Sequence, residues 1–147
     1  MKQKGLIILL AALPVLTYAD TDDGSPPDCD VAWSEAASAC VWEVIELKEP
    51  IAVRAVRGTL ANEGGGLWPE GVEVVIELAP ATNHALRYTA TTAVPSGTFE
   101  IEAVPPGEYC FRIGVRPLGW CGVQGRIVVS PEAPAEARVE ITVPLGK

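Results

Sequence analysis

Histidine is nearly absent from this chain: His84 is the only one in 147 residues, and no Cys-x-x-Cys pair occurs. Nucleophilic catalysis needs a base held beside the nucleophile, so the machinery for a small hydrolase is thin. The same shortage argues against a zinc site, which draws on closely spaced Cys and His ligands. Positive charge is also scarce, with 11 Lys and Arg against 19 Asp and Glu and a net charge of −8. A general nucleic-acid binder would carry a basic face, so that class is excluded. No apolar run reaches the ~20 residues that span a bilayer.

The longest apolar run, Leu6 to Leu16, follows Lys2 and Lys4 and precedes Thr17-Tyr18-Ala19. A basic start, a short apolar centre and a small residue at the end form the pattern of a secretory signal peptide. Residues 1–19 are therefore read as a signal peptide, and the protein as secreted or periplasmic. Removing them takes two lysines and no acid, leaving 128 residues with a net charge of −10. That length suits one domain with a real core. Residues 20–50 read as an acidic leader followed by a Cys-containing N-terminal segment, and residues 51–147 as the folded domain. The acids Asp20, Asp22 and Asp23 before Gly24 lack the alternating spacing of a calcium loop.

Four cysteines, Cys29, Cys40, Cys110 and Cys121, form an even set in a chain bound for an oxidising compartment, which reads as two disulfides. Three connectivities exist. Local pairing, Cys29–Cys40 and Cys110–Cys121, is the simplest; the rival cross-links the N-terminal segment to the later strand.

Between residues 31 and 48, helical spacing of Trp33, Ala37, Cys40, Val44 and Leu47 competes with strand alternation. A short helix or turn before Cys40 and a strand after it are expected. From residue 51 the turn residues mark out strands. Ile51 to Leu60 is one candidate, ended by the Gly64-Gly65-Gly66 turn. Val72, Val74, Ile76 and Leu78 alternate with Glu73 and Glu77, which read as a solvent face. Arg87 to Ala93 and Thr98 to Val104 follow. Then come Tyr109 to Val115, with Cys110, Arg112 and Arg116 facing outward, and finally Arg126 to Ser130 and Ala137 to Val143. Strands every 8–15 residues with no helical pattern between them predict an all-β fold, an antiparallel Greek-key β-sandwich of about seven strands. A short N-terminal extension, in part helical or turned, would precede it.

The stretch from Val56 to Trp120 resembles the carboxypeptidase regulatory-like domain, a transthyretin-like sandwich grouped with carbohydrate-binding-like folds. The resemblance rests on an ordered series: Arg57-Gly58-Thr59-Leu60, Leu67-Trp68-Pro69-Glu70-Gly71-Val72-Glu73-Val74, Thr89-Ala90-Thr91-Thr92, Ser96-Gly97-Thr98-Phe99-Glu100-Ile101, Val104-Pro105-Pro106-Gly107-Glu108-Tyr109 and Gly119-Trp120. Phe99 and Tyr109 would bury large rings from adjacent strands, and Pro-Pro-Gly would fix a bend. An Asp common in the family before the Gly-x-Phe segment is replaced here by Ala93-Val94-Pro95. The resemblance implies an accessory or binding module without catalysis. The Lys–Asn or Lys–Asp crosslink of some related surface domains is not expected, since only Lys48 and Lys147 lie beyond the signal and Glu136 to Val143 holds neither Asn nor Asp.

The expected function is a non-catalytic binding or structural module of the cell envelope whose partner is a protein or a glycan. Neither a cofactor nor a metal is expected, nor any nucleic-acid partner. Trp68 and Trp120, each in a loop beside glycine, are the candidate binding residues, able to stack on a sugar or anchor a protein. The alternative use of such loop tryptophans is to cap the open end of the sandwich. An inhibitor or chaperone-like partner of an exported enzyme, acting by strand addition at a sheet edge, is the second functional reading.

Overall fold

Alternating apolar residues drive the chain into strands that share their apolar faces. In the computed structural model, which describes residues 29–39, 43–65, 67–116 and 121–144, these strands form two sheets. The strands are β1 (Val44–Glu46), β2 (Ile51–Val53), β3 (Val56–Asn62), β4 (Glu73–Pro80), β5 (Tyr88–Thr91), β6 (Thr98–Ile101), β7 (Gly107–Arg116), β8 (Gly122–Val129) and β9 (Val139–Val143). The small sheet has the order β9-β3-β6. The large one runs β1-β8-β7-β4-β5, with β2 also paired to β8. No helix occurs among the described residues, and none there is long and apolar enough to cross a membrane. The expected signal peptide, the first part of the leader, Cys40 and Trp120 lie outside the described residues.

The fold is all-β and compatible with a sandwich, but its sheets are mixed rather than purely antiparallel. β9 runs parallel to β3, and β1 and β2 both run parallel to β8. The strand expected over Ile51 to Leu60 is two strands, because the chain passes from one sheet to the other at Arg54-Ala55. Arg54 Nε fixes that crossing by donating to Ala133 O (3.0 Å). The strand expected to reach Val104 stops at Ile101, and Ala103 takes a left-handed φ of 63° that no strand can continue. β8 begins four residues earlier than expected. Its first turn carries Gly122 and Gly125, poor strand signals, and a Cβ on Gly125 would lie 3.1 Å from the Phe111 ring.

The inner faces meet in one core. Val74, Ile76 and Leu78 from β4 and Phe111, Ile113 and Val115 from β7 pack with Leu60, Phe99, Val139, Ile141 and Val143 of the small sheet. Phe99 and Tyr109 are both buried there, but from facing sheets rather than adjacent strands. Tyr109 Oη donates to Pro105 O (2.5 Å), so the ring ties down the Pro-Pro-Gly turn that precedes it. Tyr88 meets Tyr109 edge to face, with centroids 5.8 Å apart.

The large sheet is covered on its outer face as well. Residues 29–39, a turn-containing segment with no helix and no strand, lie across β4 and β7. Val31 packs with Ala79 and Cys110, and Ala37 is fully buried. The disulfide joins Cys29 to Cys110 (Cα–Cα 5.7 Å), which corrects the expected local pairs Cys29–Cys40 and Cys110–Cys121. Cys29 reaches Cys110 because the segment folds back over the strand. The bond closes a span of 81 residues and ties the segment to β7.

Burial pushes the Tyr109 hydroxyl above its ordinary value of 10.0, and Tyr88 adds to the rise. The neutral form is thus favoured in the folded chain. Its contribution is complete below pH 10 and is lost as pH rises from there through the folded value. Stability measured by urea titration should therefore decline above pH 10. Tyr109→Phe should cost about 1 kcal/mol at neutral pH and flatten the alkaline decline; an unchanged alkaline slope would contradict this assignment.

Candidate functional site

Strand register gathers particular loops at each end of the sandwich. β4 starts at Glu73 opposite Arg116, the last residue of β7, while β3 ends at Asn62 and β6 begins at Thr98 near Thr59. The loops 63–72 and 92–97, together with the connection from Arg116 to Gly122, therefore leave from one end. Trp68 belongs to this end; Trp120 falls outside the described residues.

Trp68 is not displayed there. It is 2% exposed, and its indole N–H donates to Leu60 O (2.5 Å) while its backbone N–H donates to Pro95 O (2.8 Å). Gly97 makes this possible. Its φ is 80°, and a Cβ would sit 2.3 Å from Leu60 O and 2.9 Å from Trp68 Nε1. Asn62, itself buried, donates from Nδ2 to Leu67 O (3.0 Å). Trp68 is thus the cap of the core, as the alternative reading of loop tryptophans has it.

The capped end presents aliphatic side chains beside the exposed acids Glu63 and Glu70. Leu67 is 67% exposed and Val94 40% exposed, with Pro69 and Pro95 exposed beside them. The sequence reading missed Leu67 and Val94. The available signal was their position next to a tryptophan and a proline that fix the backbone of each loop.

The outer face of the large sheet holds the other concentration of polar groups. Glu77, expected on a solvent face, is 2% exposed because residues 29–39 cover it. Its Oε2 accepts from Arg87 Nε (2.8 Å) and from the Ser34 backbone N–H (3.3 Å). Arg87 also donates to Ala32 O (2.8 Å) and Leu86 O (2.9 Å), and its guanidinium lies 5.8 Å from the centroid of the Trp33 ring. In the same sheet row Arg112 stands opposite Glu77 and donates to Gln124 Oε1 (3.4 Å), and Gln124 donates to Glu46 (2.8 Å). Arg116 pairs with Glu73, whose hydrogen bond and charge raise the guanidinium further above its ordinary value. These contacts hold a segment in place. Glu77, enclosed with a guanidinium on one oxygen, has no route to a substrate proton and does not suit general acid–base work.

His84 sits half-buried in the loop between β4 and β5, with Nε2 buried and making no hydrogen bond among the described residues. No group of three or more His, Cys, Asp or Glu side chains that could hold a metal occurs among the described residues. No protein-family model matches the chain, and no curated protein matches it.

Trp68→Ala should destabilise the protein by about 3–5 kcal/mol, the usual range for removing a buried tryptophan, whereas Leu67→Ala should change stability by less than about 0.5 kcal/mol. Chemical denaturation of both variants checks the contrast. Equal, small effects would mean that Trp68 is not the cap.

Proposed function

We propose that the chain is an exported, non-catalytic binding module of the cell envelope, of the carboxypeptidase regulatory-like kind, and that it engages a protein through the loop end that carries Leu67 and Val94. The observation that carries this reading is the pairing of exposed aliphatic side chains with a rigid base. Trp68, Gly97 and Asn62 lock the two loops to the core and to each other, so little order remains to be gained on binding, which favours affinity. A glycan is the poorer partner for this surface. Sugar rings stack on aromatic faces, and the Trp68 ring is turned inward. An apolar socket on a protein suits Leu67 and Val94 better.

Export is supported by the N-terminal sequence and by the disulfide, which persists in oxidising compartments. The family reading is supported by the Pro105-Pro106-Gly107 turn closed by Tyr109. Strand addition, the mode expected of an inhibitor or chaperone-like partner, has less support. The edge strands β5 and β6 are four residues long and β9 five, and Lys48, Glu49 and Pro50 interrupt the edge formed by β1 and β2. Such features blunt an edge against pairing.

The test is crosslinked capture in the native envelope with wild type, the Leu67→Asp/Val94→Asp variant and an Ala135→Asp control at the opposite end. A partner held by the loop end should be lost about 30-fold or more with the double variant, the effect of a central anchor, and retained with Ala135→Asp. Equal recovery with all three proteins would sink this reading.

A further inference from the structure

Residues 29–39 reach the sheet face without joining it. None of them enters a strand ladder, and their hold consists of buried Val31 and Ala37, Trp33 against the Val31 cluster and Arg87, the Ser34 N–H on Glu77, Arg87 on Ala32 O, and the Cys29–Cys110 bond. The sheet is shaped to receive them. At Gly114 a Cβ would lie 2.1 Å from Ala36 O and 2.7 Å from the Ala37 carbonyl carbon, so only glycine lets the segment settle on β7.

We propose that residues 29–39 are a thiol-gated cover, released from the outer face of the large sheet when a dithiol reduces Cys29–Cys110, while both sheets stay folded. Release breaks no ladder and leaves the inner core untouched, since that core is built from the opposite faces of the same strands. The face beneath tolerates water. Glu77 keeps Arg87 beside it and Arg112 opposite, and the apolar groups uncovered, Val75 and Ala79, are small. While the segment is in place, Glu77, Val75 and Ala79 are buried.

The exchange has a defined direction. Cys29 is half-buried and Cys110 fully buried, so a thiolate of the dithiol attacks Cys29 Sγ. The Sγ–Sγ bond breaks, and Cys110 leaves as a thiolate and takes a proton. The second thiol of the dithiol then attacks the mixed disulfide, and Cys29 leaves and is protonated in turn. Two electrons pass from the dithiol to the protein, giving two cysteine thiols and one oxidised dithiol.

Hydrogen exchange read by mass spectrometry on the mature chain tests the proposal in four states: oxidised wild type, dithiothreitol-reduced wild type, Cys29→Ser/Cys110→Ala, and Gly114→Ala with its disulfide intact. The double variant isolates this bridge from any effect of the reductant on other cysteines. In the reduced and double-variant states, amides of residues 29–39, Ser34 above all, should exchange about tenfold or more faster, with those of β3, β4 and β7 nearly unchanged. Gly114→Ala should speed exchange in the same segment and hasten reduction of Cys29–Cys110, because the added methyl group unseats the strap without touching the core. Unchanged protection of residues 29–39 after loss of the bridge would overturn the proposal. A parallel rise across β3, β4 and β7 would also overturn it, making the bond a staple of the whole fold. Normal exchange in Gly114→Ala would overturn the assigned seat.

Discussion

A carboxylate in the middle of a covered sheet face is tolerable only when its charge is met, and the outer half of this molecule is organised around meeting it. Glu77 accepts from Arg87 and from the backbone of Ser34, and Arg87 in turn grips Ala32 O and lies over Trp33. Removing one partner of such a pair typically costs about 3–5 kcal/mol. The ion pair therefore offers residues 29–39 a polar seat through Ser34 and Ala32. Once they lie there, Cys29 meets Cys110, Val31 meets Ala79, and Gly114 has to be glycine. Two layers of sheet become, over β4 and β7, three layers of chain.

The inner half obeys a simpler rule, and it was legible. Alternation in β4, β7 and β9 named the core residues Val74, Ile76, Leu78, Phe111, Ile113, Val139, Ile141 and Val143, because a period of two is a local property of the chain. Turn residues placed most of the strand ends. What escaped was set by contacts between distant residues. The same alternation that put Glu77 opposite the core could not say that Ser34, 43 positions away, would close over it. Ten-residue spacing made local disulfides attractive, yet the bond spans 81 residues. Parallel pairing of β1 and β2 with β8 also leaves no mark in composition. Gly122 and Gly125 hid the start of β8, and at Gly125 the closeness of Phe111 and Leu47 outweighs strand propensity.

The loop end shows the same division. Sequence identified the loop around Trp68 as special, and the structure places it at one end of the sandwich with the loop that carries Val94. The ring itself turned inward, where its indole N–H donates to the Leu60 carbonyl inside the core. The exposed part of the site is then the neighbour of the anchor rather than the anchor. Loop end and covered face occupy different parts of the molecule, so a binding role for one and a gating role for the other are physically independent.

The central claim is that residues 29–39 are folded onto the large sheet rather than forming a separate leader. Peptide mapping of the mature protein without reduction tests it most directly. The account predicts a crosslinked peptide containing Cys29 and Cys110. Recovery of Cys29 joined to Cys40, with Cys110 joined to Cys121, would contradict it.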